Sequence, residues 1–330
     1  MNRLICLSLI LLSASALFAQ QAVKRYVLIE HFTNSRCGIC ASKNPDFFAL
    51  IGQPQNASEV HHLAIHPQYP YPNCEFHQAN PSDNTARASL YGIQGTPRVA
   101  LNGTLIPASS TLLSQATLNS YMGQTSPLHL KVSEAGSGSN RSVNVIARSV
   151  GNVPPGTYRM HIIIAEKLIA KTTPNGEKEH HNVLRDIISS SDFTPAASGG
   201  TVELSASYTP NAGWNAAELY AIAFVQNIMT KEVLNSGTRF DPAISAAEEA
   251  APTSLSIQPN PAHALAHAQI NESEEVRQVE MFSASGQRSV LSFQQQQGSV
   301  EIPLHTLAPG MYVVKITTQQ RVYTGKLVKQ

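Results

Sequence analysis

Tyr26-Val27-Leu28-Ile29-Glu30-His31-Phe32-Thr33-Asn34-Ser35-Arg36-Cys37-Gly38-Ile39-Cys40 passes from an apolar run directly into two cysteines separated by two residues. Tyr26 to Phe32 has the length and composition of a buried strand. Behind the cysteines, Ala41 to Ile51 has helical spacing, with Phe47, Phe48, Leu50 and Ile51 available for a core. A strand that turns into a helix at Cys37 puts that sulfur beside the first unpaired N–H groups of the helix, where the local field favours an anion. Such a place lowers the pKa of a thiol and makes the thiolate available. Arg36, directly before it, pushes in the same direction if its side chain stays close.

The neighbouring segments continue the alternation of strand and helix. Val60 to Ile65 predicts a second strand, and His66-Pro67-Gln68-Tyr69-Pro70-Tyr71-Pro72 can continue neither element and must be a loop, with Cys74 just beyond it. Asn84 to Tyr91 predicts a helix. Val99 to Leu101 and Thr104 to Ile106 flank Asn102-Gly103, a strong hairpin signal, and Thr111 to Met122 predicts a closing helix. From Pro127 the pattern changes to short strand-like runs parted by Gly, Pro and Asn, as in an all-β sandwich. Glu177 to Ser190 stays open, because His181, Leu184, Arg185 and Ile188 have helical spacing in β surroundings. Ala243 to Thr253 is small and acidic, as a linker should be, and from Ser254 short strands resume, with Ser285-Gly286 and Pro309-Gly310 as turns and Gln294 to Gln297 as a polar loop.

Met1-Asn2-Arg3, the apolar run Leu4 to Phe18 and then Ala19-Gln20-Gln21 form the three-part layout of a secretory signal, with cleavage expected near Ala19 or Gln20. Cys6 lies at the start of that run, where a lipid-acceptor cysteine does not belong. Its removal leaves Cys37, Cys40 and Cys74 in an oxidising compartment. An odd set points to a redox pair plus one extra thiol rather than to a framework of structural bridges. The 23 Lys and Arg nearly balance 22 Asp and Glu, so nucleic-acid binding has no electrostatic support.

Several chemistries fit the pair. Cys37 can attack a substrate disulfide and Cys40 can resolve the mixed disulfide; the two can instead form an inert structural disulfide. A zinc site is a third possibility, with His31, His61, His62 and His66 near in sequence but no second cysteine pair. Cys74 reads as an exposed or loop thiol, Tyr69, Tyr71 and Phe76 as a substrate rim or a self-packed loop, His180-His181 as a solvated pair and Trp214 as core. No cofactor is called for.

Val23 to Met122 resembles the thioredoxin fold, through the Cys-Gly-Ile-Cys motif between strand and helix, Pro45 five residues beyond the second cysteine and Gly95-Thr96-Pro97 before the hairpin. The resemblance implies a cis proline at Pro97 facing the cysteines and a Thr96 backbone offered to a substrate strand. Arg36 stands where the family usually has tryptophan, and His66 to Asn80 looks inserted. Glu30 is the candidate for the family's buried acid. The mature chain is similar to the outer membrane protein 28-like family of Bacteroidota, through Asn182-Val183-Leu184-Arg185 and Ala223-Phe224-Val225-Gln226. Its end resembles the C-terminal sorting domain of the type IX secretion system, through Ile257-Gln258-Pro259-Asn260-Pro261, Gly286, Pro309-Gly310-Met311-Tyr312-Val313-Val314-Lys315-Ile316 and Lys326-Leu327-Val328-Lys329-Gln330.

Together these imply a multi-domain chain: a signal peptide at 1–20, a thioredoxin-like α/β domain at 21–125, an all-β sandwich at 126–242, a linker at 243–253 and a second all-β sorting domain at 254–330. The expected protein is an exported thiol-disulfide oxidoreductase of the envelope or surface. Cys37 and Cys40 are catalytic and form the disulfide, and Thr96, Pro97 and Arg36 face the substrate. Its partners would be protein thiols and the type IX machinery, with possible outer-membrane association and no nucleic acid. The alternative is a non-enzymatic surface binding protein on the same scaffold.

Overall fold

The computed structural model describes residues 23–242, 253–272, 274–283, 287–318 and 322–330. The expected signal peptide with Cys6, the linker up to residue 252 and the Ser285-Gly286 turn lie outside the described residues. The chain runs through β1 (Val23–Lys24), β2 (Val27–Phe32), α1 (Gly38–Ile51), α2 (Pro54–Ala57), β3 (Val60–Ile65), α3 (Glu75–Ala79) and α4 (Pro81–Leu90). The hairpin β4 (Arg98–Leu101) and β5 (Thr104–Leu105) and helix α5 (Gln115–Asn119) follow. Then come β6 (Thr125–Ser126), β7 (Leu128–Ser137), β8 (Asn140–Ser149), β9 (Tyr158–Ala170), β10 (Glu179–Phe193), β11 (Thr201–Tyr208), β12 (Leu219–Asn227) and β13 (Val233–Thr238).

The expected fold class, a thioredoxin-like α/β domain followed by two all-β sandwiches, does not hold. Strands make up 48% of the described residues and helices 13%. The strands on either side of Cys37 belong to one eight-stranded sheet, in the order β13-β12-β9-β10-β3-β2-β4-β5, which also takes strands from the segment read as a sandwich. The seam is the parallel contact of β10 with β3, where Val183 lies opposite Ala64. The reason is the edge of β3: five of its six residues are buried, and a buried strand cannot leave its N–H and C=O groups unpaired. The helical spacing read in Glu177 to Ser190 comes from irregularities in β10, which shifts register between Leu184 and Asp186 and again between Ile187 and Ser189. Each shift swaps the outward and inward faces, so a simple period of two is lost.

One core crosses the seam: Leu28, Phe32, Leu63 and Ile65 pack with Ile163, Leu184, Ile222 and Phe224. On the opposite face of β2, Val27 and Ile29 meet Phe47 and Ile51 of α1 and Leu118 of α5. The outer face of β9, with Met160, Ile162 and Ile164, is covered by the three-stranded sheet β11-β8-β7 through Leu128, Leu130, Val143 and Val145. The large sheet curls until β13 returns to its start: Val233 N–H donates to the Asn102 carbonyl at 3.1 Å, and Tyr26 N–H donates to Asn235 Oδ1 at 3.0 Å. Asn102 and Gly103, with φ of 46° and 87°, make the predicted hairpin turn.

The last segment contains β14 (Thr253–Ser254), β15 (Ser256–Gln258), β16 (Leu265–Gln269), β17 (Val276–Ser283), β18 (Arg288–Leu291), β19 (Gln294–Gln296), β20 (Ser299–Pro303), β21 (Gly310–Thr318) and β22 (Val322–Lys329). They form a five-stranded and a four-stranded sheet around one core that includes Val279, Met281, Val300, Ile302, Val314 and Ile316. Gln294 to Gln296, expected as loop, pair with β20. No helix among the described residues is long and apolar enough to cross a membrane.

Candidate functional site

β2 ends at Phe32, and the chain reverses through Asn34 before α1 begins. Asn34 Oδ1 accepts Arg36 N–H at 3.0 Å, and its Nδ2 donates to the carbonyls of Pro67 and Tyr71, both at 3.1 Å. One buried amide thus fixes the turn and ties it to the proline-rich loop. Cys37 is the N-cap of α1: its sulfur takes the place of the usual capping oxygen and accepts Cys40 N–H at 3.2 Å. Opposite stands the cis Thr96–Pro97 peptide, whose Thr96 carbonyl accepts from the Cys37 thiol at 3.5 Å.

Both sulfurs are buried, and neither is bonded to another cysteine. The Cys37 pKa falls from 9.0 to about 6, chiefly because the Cys40 thiol hydrogen-bonds to it, helped by the N–H groups of Cys40 and Ile39 and by the Thr96 side chain, against burial. The same bond, followed by burial, drives Cys40 upward. The buried Thr96 hydroxyl, which has no other partner, is among the groups that lower both thiols. The pair therefore divides into one thiol that ionises readily and one that holds its proton.

The remaining expected residues fall around this pair. Arg36 is exposed and donates through Nε to the Asn73 carbonyl at 2.9 Å, so it braces the loop before Cys74. Ile39, Tyr69 and Tyr71 are exposed large side chains, and the loop that carries both tyrosines is tied to the turn through Asn34. Cys74 is not the exposed thiol expected: it is fully buried, 3.2 Å from Ser35 Oγ and packed with Phe76 and Val183. Nor is His180 solvated; it is buried against Phe76.

Glu30 is buried as expected of the candidate acid, but on the face of β2 away from α1. Its carboxylate is taken by Arg87 at 2.5 Å and by the Tyr91 hydroxyl at 2.5 Å. The buried titratable residue on the α1 side is His31, in ring contact with Phe47 and held at about pKa 3 by burial, partly offset by Asn44. His31 and His62 lie 3.4 Å apart by their ring nitrogens, yet among the described residues no group of three or more His, Cys, Asp or Glu could hold a metal ion.

Sequence reasoning missed the tip of the β9–β10 hairpin. Asn175 Nδ2 donates to the Cys37 carbonyl at 3.2 Å and the Asn34 carbonyl at 3.3 Å, while Asn175 N–H donates to the Ser35 carbonyl at 3.1 Å. Asn44, one turn beyond Cys40, donates to Glu177 Oε1 at 2.7 Å and to Thr33 Oγ1 at 3.1 Å. The dipeptide Asn175-Gly176 carries the hairpin signal that would have revealed the tip. A separate cavity of about 660 Å³ opens between α1, α2 and the sheet, lined by Tyr26, Phe48, His61, Lys167, Tyr220 and Phe240 among others.

Residues 256–330 match the secretion system C-terminal sorting domain. The chain is therefore exported, to the cell surface or the medium, and engages the type IX secretion machinery. A comparison with curated proteins finds no match. Among solved structures the chain is similar to HBP35 of Porphyromonas gingivalis, with 18% identity, 92% of this chain and 98% of that chain covered and a TM-score of 0.56. That is a likeness of fold. A domain of the outer membrane lipoprotein Omp28 from Porphyromonas gingivalis also matches, with 14% identity over 34% of this chain and 86% of that one, at a TM-score of 0.26.

Proposed function

We propose that this exported protein carries out thiol-disulfide exchange at Cys37 and Cys40. The observation that carries the proposal is the capping geometry: Cys37 accepts the Cys40 N–H at 3.2 Å, and its pKa drops to about 6, so the thiolate prevails at neutral pH. The Cys37 thiolate attacks a protein disulfide, forms a mixed disulfide and expels one substrate thiolate. Cys40 then loses its proton to solvent, attacks Cys37 and expels the second substrate thiolate, leaving a Cys37–Cys40 disulfide. The substrate gains two electrons and the pair loses two; with a substrate dithiol the same steps run backward.

The high pKa of Cys40 fits this order. Its largest cause is the bond to Cys37, and that bond disappears once Cys37 is tied up in the mixed disulfide. Cys40 becomes easier to ionise at the moment it is needed. Thr96, Pro97 and Arg36 border the sulfur and would meet the substrate backbone. Reduction of insulin disulfides by the mature protein, compared with Cys37→Ser and Cys40→Ser, tests the proposal; equal rates in all three would end it.

The cavity at Tyr26, Phe48, Tyr220 and Phe240 favours a second reading, a surface protein that binds a small apolar ligand on the same scaffold. Under that reading both thiols are inert and the insulin assay is negative.

A further inference from the structure

We propose that Asn175 and Glu177, at the tip of the β9–β10 hairpin, are positioning residues for the cysteine pair: Asn175 fixes the turn that carries Cys37, and Glu177 acts through Asn44 on Thr33 beside Cys40. The inference rests on the exchange chemistry proposed above. Within the turn from Asn34 to Cys37, the Asn34 carbonyl accepts Cys37 N–H at 2.9 Å and the Cys37 carbonyl accepts Ala41 N–H at 3.1 Å, and each oxygen has a second lone pair to offer. Asn175 supplies donors to three carbonyls of the turn: that of Ser35 from its backbone, and those of Asn34 and Cys37 from its side chain. Its amide is itself aligned by Glu177 Oε2, which accepts a hydrogen bond from the same nitrogen.

The second branch depends on which atoms can donate. A carboxylate only accepts, so the Asn44 atom facing Glu177 Oε1 at 2.7 Å is the nitrogen. That nitrogen also lies 3.1 Å from Thr33 Oγ1. An amide N–H donates, so Thr33 oxygen accepts there and its own hydrogen is left for a further acceptor. Cys40 is the side chain that Thr33 acts on, and a donated hydrogen bond stabilises sulfur in its anionic form. Glu177 thereby orients two intervening groups so that a hydroxyl points at the resolving sulfur. No proton passes along this route, because an amide nitrogen does not relay one; the effect is orientation.

A chromogenic aryl disulfide separates the two branches in the full mature protein. The first aryl thiolate released reports attack by Cys37, and the second reports closure by Cys40. Thr33→Val is expected to slow the second release about tenfold, the loss expected from one hydrogen bond to a charged group, and to leave the first unchanged, whereas Glu177→Ala, which also releases the Asn175 amide, is expected to slow both. Glu177→Gln, whose carbonyl oxygen can still accept from Asn44, is expected to retain the wild-type second step. Asn175→Ala is expected to raise the alkylation midpoint of Cys37 above about 6 and slow the first release. Melting temperatures of all variants identify any that fail to fold, and the Gln variant keeps the test usable if Glu177→Ala is one of them. Lowered melting temperatures with both release rates unchanged would overturn the positioning role. A wild-type protein that releases no second aryl thiolate would instead overturn the exchange chemistry, and this inference with it.

Discussion

Glu30 and Arg87, 57 positions apart in the chain, form an ion pair at 2.5 Å in the interior enclosed by the curled sheet, with Gln226 accepting from Arg87 Nη1 at 3.0 Å. Neither charge reaches solvent: Glu30 is satisfied by Arg87 and Tyr91, and Arg87 by Glu30, Gln226 and Tyr91. Removing one partner strands the other in a medium that solvates it poorly. Arg87→Met is expected to destabilise the protein by about 3–5 kcal/mol, read from urea unfolding. Changing Glu30 and Arg87 together to apolar residues should cost less than either single change, and a cycle with additive effects would contradict the coupling.

The thiol chemistry has a pH signature. Iodoacetamide should modify Cys37 with a rate that rises to a plateau around a midpoint of about 6, and Cys37→Ser should abolish that phase. Because the folded value lies below the ordinary 9.0, the reduced protein is stabilised by the thiolate at alkaline pH and loses that contribution as pH falls from 9.0 through about 6. A midpoint near 9.0 would remove the basis of the proposed activity.

Cys74 offers the internal contrast. It is fully buried under Phe76 and Val183, so labelling of the native protein followed by mass spectrometry should leave it unmodified while Cys37 reacts. Unfolding in denaturant should equalise the two. Fast native labelling at Cys74 would contradict its placement.

The buried histidines predict sensitivity to acid. Burial holds His31 and His161 at about 3, and His62 and His66 well below 6.5. The unfolded chain binds protons at these sites as pH falls below 6.5, whereas the folded chain does not, so stability must fall from pH 6.5 toward 3. Each such site contributes a slope of about 1.4 kcal/mol per pH unit. Urea midpoints measured across that range should show the slope, and His31→Leu should reduce it.

The Asn102-Gly103 turn carries more than a hairpin. A Cβ at Gly103 would lie 1.7 Å from the Lys231 carbonyl oxygen, and the residue has φ of +87°. Gly103→Ala should therefore cost about 1–3 kcal/mol from the backbone strain alone and more from the clash. Thermal unfolding that leaves this variant unchanged would contradict the close approach of Lys231, in the β12–β13 turn, to Gly103.

Local signals in the sequence translated well where a short segment decides its own conformation. The strand ending at Phe32, the helix opening behind Cys37, the strand at Val60 to Ile65 and the Asn-Gly turn all follow from composition within a few residues. The fold class failed because strand partners lie far apart: nothing near Ala64 announces that Val183 will pair beside it, and the bulges in β10 disguise the strand as a helix. The cysteines and Thr96-Pro97 were visible as motifs. Asn175 and Glu177 were not, since their role exists only after two segments 138 and 133 positions from their contacts are brought together. Glu30 and His31 differ by one position, and a single step along a strand sent the carboxylate to the far face and the imidazole beneath α1.

Because β3 gains its second neighbour only when residue 183 is available, and the Asn102 carbonyl its donor only when Val233 arrives, this protein cannot complete itself in the order in which it is made. A fragment stopping at residue 125 would present a bare, mostly apolar strand to its surroundings and would be expected to associate with other copies. The proposed sulfur chemistry therefore depends on late-arriving chain: until the hairpin around Asn175 closes over the turn, Cys37 is only one more thiol on an unfinished polypeptide.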